Sequence, residues 1–130
     1  MPRVGDWATW TVRVAGSDGM TRLTWRIVSL DAIQAGVSIT SATTDGSGRD
    51  LSASETQTKI DLAKLRPTSR LQGATPSEPV VVGARRIPVR VAFVGETKAW
   101  VSDEVPVTGL VRSTGPGGTE QVLVDFGRGG

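Results

Sequence analysis

The amino-acid sequence predicts an all-β protein of about eight antiparallel strands, arranged as a curved meander or a partly open barrel. Three observations carry this prediction. Apolar and polar residues alternate with a period of two in most segments between residues 6 and 126. Turns rich in glycine separate these segments at short spacing, and only residues 60–65 have a pattern that suits a short helix. No linker divides the 130 residues, so we predict a single β domain over residues 1–130.

The first two predicted strands are amphipathic. Residues 6–14 place Trp10 on an apolar face and Trp7 on the opposite face beside threonines. A turn segment follows, and residues 21–30 then place Trp25 on the apolar face of a second strand. The two strands therefore contribute one tryptophan each to a common apolar face if they pair as a hairpin.

The next segments are more polar. The alternation of the second strand breaks at Val28, which predicts a bulge or burial of both faces there. Residues 37–44 and 51–58 are mostly Ser, Thr and Ala, and strands of this composition are typical of a sheet edge. Residues 60–65 are the one candidate helix, which ends before Pro67 because a residue preceding proline avoids the helical region.

The second half returns to β patterning after a proline-rich loop. Its predicted strands are residues 80–82, 87–94, 97–102, 110–113 and 120–126. Pro88 lies inside one of these runs and indicates an edge position or a bulge. Phe93 lies on the apolar face of the same run, and Trp100 faces away from Ala99 on the next strand.

The composition excludes much of the usual catalytic chemistry. The chain has neither Cys nor His, so it has no thiol nucleophile, no Ser-His-Asp triad and no thiolate or imidazole ligand for a metal. The carboxylates are scattered and lack the spacing of a calcium loop. We therefore predict no enzyme, no catalytic residues, no cofactor and no metal site.

The charge pattern does not favour a nucleic-acid partner. Fifteen Lys and Arg face 13 Asp and Glu, which leaves a formal net charge of +2. The cations are dispersed along the chain, whereas capture of nucleic acid uses cations clustered on one face. No apolar run approaches the length of a membrane helix either, so we predict no transmembrane segment.

The aromatic residues are the candidate binding residues. A large aromatic side chain on a mixed face can anchor a ligand or partner, and one on an apolar face can line a hydrophobic groove. Packing within the core is the alternative for each of them. The predicted ligand- or partner-binding residues are Trp7, Trp10, Trp25, Phe93 and Trp100.

Both ends of the chain resemble a known group of proteins. The resemblance lies in VGDW at residues 4–7, AWVSDEVP at residues 99–106, GLV at residues 109–111 and LVDFG at residues 123–127. These runs resemble a family of uncharacterised bacterial envelope proteins whose domain is similar to the half-open antiparallel barrels of LolA and LppX-like lipoprotein and lipid carriers. The resemblance implies a periplasmic or envelope location and a curved sheet with an apolar concave face.

The residues and the resemblance together predict an extracytoplasmic binding module. Its curved apolar sheet face would bind a hydrophobic ligand or an apolar segment of a protein partner. The alternative is a structural or assembly subunit that pairs with another copy or partner through the edge of the hairpin at residues 37–58. Residues 1–3 lead directly into the first strand, so we expect any export signal to have been removed.

Overall fold

The computed structural model describes residues 3–16, 18–62, 75–102, 104–107 and 109–128. Within these ranges the protein is built from nine β-strands. The strands are β1 (Trp7–Arg13), β2 (Met20–Leu30), β3 (Gln34–Thr44), β4 (Asp50–Asp61), β5 (Thr75–Val82), β6 (Arg85–Val94), β7 (Thr97–Val101), β8 (Leu110–Thr114) and β9 (Glu120–Gly127). The all-β prediction is confirmed, but β5 begins at Thr75, within the proline-rich segment predicted as a loop, because Thr75–Ser77 pair with β6.

The nine strands form one open sheet in the order β4-β3-β2-β1-β9-β8-β7-β6-β5. All neighbouring strands in this order run antiparallel. Two meanders, β1 to β4 and β5 to β9, are therefore joined side by side through the β1–β9 pair. The edges of the sheet are β4 and β5, which follow each other in the sequence but lie at opposite ends of the strand order.

The outer part of the sheet curls back toward its middle. In a flat sheet with strands about 4.8 Å apart, β6 and β9 would be separated by about 14 Å. Arg85 at the start of β6 nevertheless places its guanidinium 4.5 Å from the ring centroid of Phe126 in β9. The same guanidinium donates a hydrogen bond of 3.4 Å to the Phe126 carbonyl. An arginine side chain bridges these strands only because the sheet is curved.

The observed bulges occur where the pattern breaks. The β2–β3 register shifts between Ile27 and Ser29, so Val28 is the extra residue and its side chain is exposed. The β5–β6 register shifts between Ser77 and Val80, opposite Pro88. Both sequence predictions are confirmed, because a bulge absorbs a residue that cannot continue the alternation and a proline that cannot donate to the ladder.

The helix predicted at residues 60–65 is wrong for its first residues. Ile60 and Asp61 belong to β4 and pair with Ala35 and Gln34 of β3. The Leu62 N–H then donates to the Ile33 carbonyl at 2.9 Å. Pairing with β3 satisfies these backbone groups and half-buries Ile60 against the core, which outweighs local helix preference. Residues 63–65 lie outside the described residues.

The core collects buried apolar side chains from strands across the whole sheet. Its largest fully buried apolar side chains are Trp10, Ile27, Ile87, Val37 and Val111. These five come from five different strands, so no single hairpin closes the core. Assembly of the whole sheet is required before these side chains are removed from water.

The entry into β1 is held by backbone and carboxylate contacts. The Asp6 carbonyl accepts a hydrogen bond from the Ile27 N–H at 2.9 Å, and the Gly5 N–H donates to the Ile27 carbonyl at 2.7 Å. The Asp6 carboxylate is fully buried, accepts the Arg3 N–H at 3.0 Å and lies 4.0 Å from the Arg128 guanidinium. A buried carboxylate with these partners fixes the start of the strand and is structural.

Candidate functional site

Trp10 and Trp25 meet on one face of the sheet. Trp25 pairs with Ala8 across the β1–β2 ladder, and Trp10 pairs with Leu23, so all four side chains share a face. The two indole rings form an edge-to-face contact with centroids 6.2 Å apart and planes at 80°. Trp10 is 1% exposed, whereas Trp25 is half-buried. Trp10 therefore supports Trp25 from below, and Trp25 is the ring that solvent reaches.

A hydrogen bond fixes the orientation of Trp10. Its indole N–H donates to the Leu110 carbonyl of β8 at 2.8 Å. Leu110 is 100 positions away in the sequence, and β9 lies between β1 and β8 in the sheet. The indole thus spans the central strand and ties the two meanders together, which holds the ring beneath Trp25 in one orientation.

Around Trp25 the surface is apolar. Trp25 pairs with Ile39 across the β2–β3 ladder, and Ile27 pairs with Val37. Leu23, Trp25, Ile39 and Ile60 are half-buried, while Ile27 and Val37 are completely buried. We call this set the apolar face; its members are Leu23, Trp25, Ile27, Val37, Ile39 and Ile60.

The apolar face carries no charge within β1 to β4, all of which the structure describes. The cross-strand register places only apolar, Ser and Thr side chains on it in these four strands. Charged side chains of the same strands lie on the opposite face, among them Arg22, Arg26, Glu55 and Lys59. Removing this face from water therefore desolvates no charged group, which favours contact with an apolar molecule.

Trp100 lies on the other face of the sheet and is half-buried against the core. The register joins it to Arg112 and, through Val122, to Thr11 of β1, whose side chain is opposite to that of Trp10. The Lys98 ammonium is 4.7 Å and the Arg112 guanidinium 5.0 Å from the Trp100 ring centroid. Two cations thus contact the half-buried indole through its electron-rich π system.

The same cluster contains an ion pair and an exposed ring. Arg112 Nη2 lies 2.5 Å from Glu120 Oε2, and both side chains are partly exposed. Phe93 pairs with Lys98 across the β6–β7 ladder and is 69% exposed, although the sequence placed it on an apolar face. We call Phe93, Lys98, Trp100, Arg112 and Glu120 the Trp100 cluster. Alternation alone could group Lys98 with Trp100, but the involvement of Arg112 and Glu120 depends on the strand order.

Trp7 lies at the start of β1 on the face of the Trp100 cluster. It pairs with Gly127 of β9, and a Cβ at that glycine would come within 2.5 Å of the indole nitrogen. The absence of a side chain at residue 127 lets the half-buried indole lie directly over the β9 backbone.

The five predicted binding residues therefore do not form one site. Trp10 and Trp25 are in contact on the apolar face, whereas Trp7, Phe93 and Trp100 lie on the opposite face. Their role in binding remains a prediction for each face separately. The sequence could not reveal this division, because it depends on the register between strands that are distant in the chain.

Two aspartates in turns, Asp31 and Asp45, have lowered pKa values. Hydrogen bonds from the Gln34 and Ile33 N–H groups lower the pKa of Asp31, with burial opposing them and Lys59 contributing less. In the β3–β4 turn, hydrogen bonds from the Ser47 hydroxyl and the Arg49 N–H lower the pKa of Asp45. Both carboxylates are exposed and stabilise turns. Among the described residues, no group of three or more Asp and Glu comes together in a way that could hold a metal ion.

No helix in the described part of the chain is long and apolar enough to cross a membrane. The sequence argument against a transmembrane segment was likewise made for helices.

Comparison with known proteins identifies a related fold. No protein-family model and no curated protein sequence matches the chain. Among solved structures, the crystal structure of MucB in complex with MucA(peri) superposes with a TM-score of 0.56 at 11% sequence identity. The similarity covers 98% of this chain and 52% of the MucB chain, so this chain spans about half the length of that neighbour. At this identity the likeness shows the fold alone. The narrower resemblance to LolA and LppX-like carriers remains a prediction.

Proposed function

We propose that this protein is a non-catalytic, extracytoplasmic binding module whose apolar face binds an apolar segment of a protein partner. The single observation that carries the proposal is that the Trp25 ring on the apolar face is partly exposed to solvent. This ring is half-buried, is surrounded by apolar side chains and packs against Trp10, which is fully buried and hydrogen-bonded to β8. A large aromatic side chain held in one orientation is the usual anchor of a protein interface.

A protein segment is the preferred occupant because the fold neighbour MucB was solved in complex with MucA(peri), which is a protein partner of MucB. The proposed extracytoplasmic location rests on the resemblance of the chain ends to bacterial envelope proteins. A hydrophobic small molecule is the other occupant that an uncharged apolar face would accept, and the experiment separates the two.

The test compares two tryptophan variants. Trp25→Ala removes the ring from the apolar face, and Trp100→Ala is the matched control on the opposite face. Binding of synthetic apolar peptides and of the dye 1-anilinonaphthalene-8-sulfonate would be measured by titration with the purified protein. Circular dichroism would show that each variant is folded.

We expect wild type and Trp100→Ala to bind an apolar peptide equally and Trp25→Ala to bind it about 30-fold more weakly, as for an interface anchor worth about 2 kcal/mol. If the dye bound but none of the peptides did, the apolar face would be a small-molecule groove, which would contradict the partner proposal. A larger loss in Trp100→Ala than in Trp25→Ala would place the site on the opposite face.

A further inference from the structure

The two edges of the sheet differ in how open they are. β4 has 12 residues, contains no proline, and is exposed at every residue except Ile60. β5 contains Pro76 and Pro79 and is interrupted by a bulge. Prolines and bulges prevent further strand addition, whereas a long regular edge accepts it. Of the two edges, only β4 is therefore suited to pair with another strand.

The hydrogen-bond pattern shows which β4 backbone groups point outward. The Leu62 N–H bonds to the Ile33 carbonyl, and residues 34 and 61 are partners in the register. In an antiparallel ladder this bond makes residues 34 and 61 a pair without mutual hydrogen bonds. Because such pairs alternate along the ladder, the N–H and C=O groups of Ala53, Glu55, Gln57 and Lys59 also point away from β3.

These outward residues are self-complementary in charge. When two β4 strands pair antiparallel about a two-fold axis at Gln57, Glu55 of each copy lies opposite Lys59 of the other. A shift by two residues in one direction places Glu55 opposite Gln57 of the other copy. A second such shift places Glu55 opposite Glu55 of the other copy. The shift in the other direction places Glu55 opposite Asp61, which is also acidic. Opposite charges facing each other stabilise a ladder, and like charges destabilise it.

We propose that this protein forms a homodimer by antiparallel pairing of β4 with β4 of a second copy, centred on Gln57. The interface is isologous, since one patch pairs with itself, and it closes after two copies. Every outward N–H and C=O from residue 53 to residue 61 then has a partner across the interface. Because paired residues lie on the same face, the apolar faces of the two copies become continuous across one sheet.

Charge exchange tests the proposed register. Analytical ultracentrifugation of the full chain over a wide concentration range gives the dimer dissociation constant. Glu55→Lys places a lysine opposite Lys59 of the other copy on both sides of Gln57, and we expect the dimer to weaken at least about tenfold. The double variant Glu55→Lys/Lys59→Glu restores opposite charges, and we expect its dissociation constant to return to within about threefold of wild type.

A proline variant tests the use of the β4 edge. Gln57→Pro removes an outward N–H but no β3–β4 hydrogen bond, so the protein should fold and remain monomeric. Val81→Lys on β5 is the control at the other edge and should dimerise as wild type does. Urea unfolding followed by circular dichroism confirms the folding of each variant.

Three outcomes would overturn the proposal: a monomeric wild type at all concentrations, a dimer unaffected by Gln57→Pro, or a double variant as weak as Glu55→Lys. None of these outcomes bears on Trp25, so the failure of this dimer is distinguishable from the failure of the apolar face to bind a peptide.

Discussion

Trp10 provides the sharpest test of how the sheet is held together. Its side chain is 1% exposed, contacts Trp25 edge to face and donates a hydrogen bond to Leu110. Removing a buried aromatic side chain costs about 3–5 kcal/mol of unfolding free energy. A neutral hydrogen bond contributes about 1 kcal/mol of this and an aromatic pair about 0.5–1.5 kcal/mol. We therefore expect Trp10→Ala to lose about 4 kcal/mol, which is a large part of the stability of a small domain.

Trp10→Phe separates the contributions. Phenylalanine retains most of the buried ring but cannot donate to the Leu110 carbonyl, so we expect a loss of about 1–2 kcal/mol. Trp100→Ala removes a ring that is only half-buried against the core and has no hydrogen bond like that of Trp10, so it should cost less than Trp10→Ala. Urea unfolding would be followed by circular dichroism, because each substitution changes the tryptophan fluorescence. If Trp10→Ala and Trp100→Ala lost the same stability, Trp10 would not be the central core residue inferred here.

Two further predictions concern the turns. Gly118→Ala should lose more stability than Gly16→Ala. Both glycines have positive φ, but of the two only residue 118 would bring a new Cβ into the Ala15 side chain. Equal urea midpoints for the two variants would contradict this. Asp45→Asn should lower the free energy of unfolding at neutral pH. The wild-type carboxylate stabilises the fold above its unfolded-state pKa, and this stabilisation is lost as the pH falls through its lowered folded-state pKa. The difference in stability between wild type and variant should therefore shrink at acidic pH. Urea midpoints over a pH series would measure it, and a difference independent of pH would refute it.

Local stereochemistry explains why much of the fold could be predicted. Alternation along each strand is a property of the pleated backbone, so the faces of β1 and β2 and the positions of Trp7, Trp10 and Trp25 on them followed from the residue order. The bulges at Val28 and opposite Pro88 were predictable for the same reason. The composition of residues 37–44 and 51–58 likewise indicated a sheet edge, which is right for β4 but wrong for β3, because β3 pairs with β2 on its other side.

The candidate site could be predicted only in part. Residue order indicated that Trp10 and Trp25 lie on apolar faces of neighbouring strands, and the β1–β2 register confirms that they share one. The grouping of Trp100 with Arg112 and Glu120 could not be predicted, since it needs the β7–β8 and β8–β9 pairs. The prediction at residues 60–65 failed for a related reason, because Ile60 is held in β4 by Ala35 of another strand.

The sequence by itself determined the alternating faces, the turns, the bulges and the absence of thiol and imidazole chemistry. Only the tertiary structure decided that β1 pairs with β9, that consecutive strands β4 and β5 become opposite edges, and that the aromatic residues divide between two faces. The physical reason is the range of the interactions. Alternation is set by each residue and its immediate neighbours, whereas strand order is set by contacts such as Trp10 to Leu110, which form only when the whole sheet has assembled.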